Sequence, residues 1–159
     1  MRLRAQLTDQ KGTSLVEFAL ILPVLALILF GLLDFAKAFN YWNDQTHLAA
    51  EGARWAVVNS NPGGGQTLQQ YLQQQADTNE LRGRAVVCVS FPNNPDTGTS
   101  GQVGDPVTVT VKSQYTWLPI VSSRAALSPS TTLTGSATMR LEAPPTAYAV
   151  GSGGTGACT

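Results

Sequence analysis

Glu17 is the residue whose setting carries the most chemistry. It opens a charge-free run of sixteen apolar, Gly or Pro residues, Phe18 to Leu33, and follows Gly12 by five positions in K-G-T-S-L-V-E-F-A-L. An ionisable side chain at the start of a membrane-type segment is costly to bury and is a site hypothesis by default. Gly12 has no Cβ, so a protease can bring its catalytic groups close to the backbone there. Such cleavage needs an extended, accessible peptide, and Lys11 holds it at the membrane surface. The chemistry this pattern points to is done to the chain rather than by it.

Nothing else in the sequence assembles a catalyst. Catalysis needs a nucleophile beside a base, or paired carboxylates in a cleft. The single histidine, His47, stands alone on a helical stretch. Gly63-Gly64-Gly65 lacks the lysine and the strand-to-helix setting of a phosphate loop, and no G-x-S-x-G occurs. Cys88 and Cys158 lie 70 positions apart with only a distant histidine, which makes no zinc site. No cofactor, metal or small-molecule substrate is expected. Formal charge is zero, so no broad basic surface points to nucleic acid. Two cysteines outside a membrane can pair. A Cys88–Cys158 bridge would close a long loop, for which chain entropy gives about 4 kcal/mol. The alternative is a buried strand thiol at 88 and a free one at 158.

The elements that position these residues follow from charge and periodicity. Residues 1–12 hold Arg2, Arg4 and Lys11 against Asp9, a net of +2; the remainder has seven basic against nine acidic side chains. Basic charge before an apolar run puts the N-terminus in the cytoplasm and the rest outside. Ser14 to Leu33 is twenty residues, about 30 Å of helix, enough for a hydrocarbon core and longer than a usual secretory h-region. Ala36-Lys37-Ala38 has the A-x-A form of a signal-peptidase site, so cleavage after Ala38 is the competing secretory reading. Helical periodicity runs from Thr13 to Val58, interrupted only by Pro23 and Gly31. Phe35, Phe39, Trp42, Thr46, Ala49, Ala53 and Ala56 alternate at spacings of four and three, a heptad-type seam. From Ala49 onward this seam is expected on the protein's own sheet; Phe35 to Trp42 faces a partner subunit or lipid headgroups. Phe39, Tyr41 and Trp42 suit an aromatic belt.

Asn59 to Gly65 ends the helix. A second helix is expected over Thr67–Leu81, its Gln tract supplying a neutral polar face. Period-two strands are expected over Arg84–Ser90, around Val107–Lys112 and over Thr131–Leu141. Three antiparallel strands need a cover, which the second half of the long helix can supply. The expected organisation is a leader over 1–12, a transmembrane helix over 13–34 and its extracytoplasmic continuation over 35–58. A turn and short helix over 59–83, a sheet region over 84–143 and a flexible end over 144–159 complete it. The fold class is α+β.

G-T-S-L-V-E-F-A resembles the cleavage motif of type IV prepilins and pseudopilins. A-A-E-G-A-R-W-A (Ala49 to Ala56), V-E-F-A-L and S-A-T-M-R-L-E (Ser136 to Glu142) resemble the TadE-like branch, small pseudopilins of the tight-adherence (Flp-type) pilus system. The resemblance is strong over Gly12–Val58 and loose beyond. It implies a pilin-like long helix on a small sheet and a cut by a prepilin peptidase between Gly12 and Thr13, on the cytoplasmic side. Lys11, Glu17 and Phe18 then belong to the processing and assembly motif. Thr13 departs from the methylated Phe common in major pilins. Implied partners are membrane lipid, the peptidase, other pilin subunits and an assembly platform. The sequence thus reads as a membrane-anchored minor pilin. Its alternatives are an unprocessed single-pass protein with an external binding domain, or a secreted β-rich protein cut after Ala38.

Overall fold

The computed structural model describes residues 10–117 and 129–148. The chain divides between Ala36 and Lys37 into two compact units. Helix α1, Gln10–Val57, begins in the first and ends in the second. It starts three residues before the expected Thr13 and continues through Pro23.

In the first unit α1 is apolar all round. Every Leu, Ile, Val and Phe from Leu15 to Phe35 is exposed. A helix with no polar face is stable only in a protein core or in lipid. Among the described residues, α1 is the one helix long and apolar enough to cross a membrane by length and composition.

The second unit is a three-stranded antiparallel sheet covered on one face by the rest of α1. Helices α2 (Leu68–Gln75) and α3 (Asn79–Arg84) precede β1 (Val86–Ser90), β2 (Pro106–Thr116) and β3 (Ser130–Arg140), and the sheet order is β1-β2-β3. Strict alternation on β2 puts Val107, Val109 and Val111 fully in the core, followed by Ser113 and Tyr115, while Thr108 and Thr110 face away. Each of those valines contributes about 1.5–3 kcal/mol by leaving water. The opposing stripe on α1 is Ala38, Tyr41, Gln45, Leu48, Ala49, Ala53 and Ala56. Its small residues let the helix lie close to the strands. The helix backbone lies directly over Gly135, which pairs with Val111. A Cβ there would sit 2.4 Å from the backbone carbon of Gln45 and 2.5 Å from the nitrogen of Thr46.

The end of α1 is held by Asn59, at φ 52°. Its N–H donates to Ala56 O and that of Ser60 to Trp55 O, a Schellman closure in which Asn supplies the left-handed residue. Residues 144–148, expected as the start of a flexible end, are tied to this corner. Asn59 Nδ2 donates to Thr146 Oγ1 (2.7 Å), Ala147 N donates to Asn59 Oδ1 (2.7 Å), and Tyr148 OH donates to Ser60 O. Burial pushes the Tyr148 phenol up to about 12.

The single helix expected over Thr67–Leu81 is two. Ala76 is extended, Asp77 N donates to Asp44 Oδ2 of α1 (3.0 Å), and Thr78 caps a new helix by accepting from Leu81 N. Side-chain partners that compete with the helical ladder end α2 here. The third helix consumes Arg84, so β1 starts two residues later than expected. The glutamines do more than present a polar face: Gln69 Nε2 donates to Val87 O and Gln73 Nε2 to Ala85 O, covering the outer edge of β1.

Candidate functional site

Gly12, Thr13, Glu17 and Phe18 all lie on the first turns of α1 and are exposed. Nothing lies within 4 Å of the position a Cβ would take on Gly12. The Gly12–Thr13 bond is helical here, not extended as cleavage requires. It belongs to the first turn, whose N–H groups have no partners within the helix. Lys11 is part of α1, but its side chain lies outside the described residues.

The heptad-type seam divides. Ala49, Ala53 and Ala56 are fully buried against the sheet. Phe35, Phe39 and Trp42 are 60%, 56% and 48% exposed, and Thr46 is exposed with its hydroxyl turned back to Trp42 O (2.9 Å). The rings of Phe39 and Trp42 pack at 5.8 Å between centroids. Tyr41, grouped in sequence with these two, belongs instead to the core and is 4% exposed. The stripe that reaches the sheet passes through Ala38, Tyr41 and Gln45, one residue off the aromatic seam. Gln45 hides this stripe in the sequence, because it reads as solvated, whereas its amide is buried and donates to Ser113 Oγ.

Cys88 sits on β1 opposite Thr110, 3% exposed, and is not a free thiol. Cys158 lies outside the described residues. His47 is exposed. Among the described residues no three His, Cys, Asp or Glu side chains converge on a metal site. A hollow of about 260 Å³ is lined by Asn94, Pro95, Pro106, Thr138, Met139 and Arg140. It brings no nucleophile to a base, so its lining does not set up catalysis.

Two polar clusters carry no sequence motif. In the 91–105 loop, Asp105 is 2% exposed. It accepts from Asn94 Nδ2 (3.1 Å), Thr99 Oγ1 (2.9 Å) and Gln102 N (3.0 Å). Burial by itself would raise this carboxyl, but these donors outweigh it and hold it below its ordinary value. Near the start of the second unit, Glu80 on α3 accepts from Lys37 and Tyr41 of α1. The only local signal for this pairing is the i, i+4 spacing of Glu80 and Arg84.

No curated protein and no solved structure matches the chain. Residues 12–54 match a family model described as TadE-like protein. The match begins at Gly12, takes in Glu17 and the exposed apolar helix, and ends within the buried alanine stripe. It supports involvement in Tad pilus assembly and interaction with other pilus components. Over those residues the chain is similar to TadE-like proteins, a family of pilus components.

Proposed function

We propose that this chain is a minor pilin of a Tad-type pilus. It is anchored in the cytoplasmic membrane by residues 13–34, with its N-terminus in the cytoplasm and the unit from Lys37 onward outside. A prepilin peptidase cuts it between Gly12 and Thr13. The observation that carries this reading is the exposed apolar surface of α1 from Leu15 to Phe35, with Glu17 near its start, within the family match. Lipid covers that surface before assembly, and neighbouring helices replace lipid afterwards. Packing in such a bundle rests on van der Waals contact and satisfied polar groups.

Glu17 supplies the polar term. Cleavage creates an amine on Thr13, with an ordinary pKa near 8, so it is mostly protonated. A carboxylate at the edge of an apolar zone is stabilised by such a partner. Paired with the amine of a neighbouring subunit, Glu17 sets the axial register of assembly. Glu17→Ala is therefore cleaved and inserted normally but does not restore pili in a deletion background; normal pili would remove the role.

The processing step is tested by the N-terminal residue of protein taken from the native envelope. Thr13 is expected. Met1 would favour an unprocessed single-pass protein, and Phe39 a secreted one. The packing of Ala38 in the core and the pairing of Lys37 with Glu80 speak against a cut after Ala38, which severs α1 at that point.

A further inference from the structure

We propose that Lys37, Tyr41 and Glu80 form a latch that holds the Lys37–Asn43 stretch of α1 onto α3 and β2, and that its opening loosens this stretch for contacts with a neighbouring pilin subunit. The latch itself stands on geometry; its use in assembly rests on the pilus reading.

The second unit begins at Lys37, and Ala38 and Tyr41 are the first α1 side chains in its core. Their hold on α3 converges on one carboxylate. Glu80 Oε2 accepts from Lys37 Nζ (2.9 Å) and Tyr41 OH (2.8 Å), while Arg84 Nη1 lies 3.1 Å from Oε1. The ammonium of Lys37 also stands 5.4 Å from the Tyr41 ring centre and 5.9 Å from that of Tyr115 on β2. Tyr41 meets Tyr115 edge-on at 5.6 Å, and Tyr115 meets Trp117 at 5.0 Å. The hydrogen bonds from Lys37 and then Tyr41 hold the Glu80 carboxyl below its ordinary value, so the charged form is the one that closes the latch.

The next holds along α1 differ in kind. Asp44 is 9% exposed and accepts the Asp77 N–H, Gln45 is fully buried against Ser113, and the backbone at 45–46 rests on Gly135. The Lys37 and Glu80 side chains are instead 44% and 40% exposed. Water and salt reach that pair and weaken it, whereas the contacts at 44–46 open only with the core. The Lys37–Glu80 pair is therefore the part of the hold that solvent reaches, and opening the latch also draws Ala38 and Tyr41, each 4% exposed, from the core.

Hydrogen exchange of the full chain in phosphatidylcholine nanodiscs tests this. Glu80→Ala and Lys37→Met should raise exchange about tenfold across residues 38–43, with the β2 amides of 106–116 unchanged. Glu80→Gln keeps an acceptor for Tyr41 without the charge and should fall between. Unchanged exchange at 38–43 overturns the latch. Equal acceleration at 106–116 also overturns it, because the cluster would then stabilise the whole unit. No pilus is present in this measurement, so its failure leaves the assembly reading standing, and a failure of Glu17→Ala to affect piliation leaves the latch standing.

Discussion

Substituting Gly135 by Ala tests how α1 is seated on the sheet. The new Cβ would lie 2.4 Å from Gln45 C, 2.5 Å from Thr46 N and 2.6 Å from Gln45 O. Carbon–carbon contact is most favourable at about 3.5–4.0 Å, so the shortfall is roughly 1 Å or more. All three atoms are helix backbone, which cannot turn aside as a side chain can. Relief requires α1 to lift from β3, pulling Gln45 from Ser113 and loosening Leu48 and Ala49 in the core. Overpacking of this kind costs about 3 kcal/mol, the upper part of the usual range. For a unit of this size that lowers the melting temperature by roughly 10 °C. Gly52→Ala is the matched comparison. Its Cβ would meet Leu72 Cδ1 at 2.7 Å and Val109 Cγ1 at 3.0 Å, both ends of side chains. Alanine also gains up to about 1 kcal/mol over glycine within a helix, which offsets the crowding. Thermal unfolding of both variants in detergent, followed by tryptophan fluorescence, should show a large loss for Gly135→Ala and little change for Gly52→Ala. Equal losses, or a stable Gly135→Ala, would refute the close seating of α1 on β3.

Asp105 predicts an acid-dependent term. Its folded pKa is depressed, so its contribution is complete above the ordinary carboxylate value of about 4 and is lost as pH falls through the folded value. Asp105→Asn turns an amide toward donors that need an acceptor and should lower stability at pH 7. In urea titrations the gap from the parent chain should shrink at pH 3; a constant gap would assign the loss to shape alone. For the cysteines, alkylation without reductant of protein from the native envelope should label neither Cys88 nor Cys158, and labelling of both would exclude their pairing. A reporter fused after Val58 should be active only in its extracytoplasmic form, and cytoplasmic activity would reverse the proposed topology. Asn59→Gly keeps the backbone turn but removes the bonds to Thr146 and Ala147, so exchange at 144–148 should rise while α1 stays intact.

The long helix, the three strands and the helix-on-sheet architecture were legible in the chain because each rests on local periodicity. Valines at 107, 109 and 111 alternate with polar residues, and the apolar run after Glu17 has no other stable form than a helix in lipid or a core. The likeness to TadE-like proteins over residues 12–54 was legible because the motif from Gly12 onward is contiguous. Tertiary contact decided what periodicity does not encode. Which face of α1 meets the sheet depends on Gln45 finding Ser113 and on Gly135 leaving room, and both partners lie far along the chain. The break between α2 and α3 depends on the Asp44 carboxylate of another helix reaching the Asp77 N–H. Glu80, Asp105 and the tie between Asn59 and Thr146 look like ordinary surface or turn residues in sequence. Glu80 and Asn59 gain their roles only when folding brings partners from far along the chain, and Asp105 only when its loop closes on it, because a hydrogen bond is specified by geometry and leaves no period in the chain.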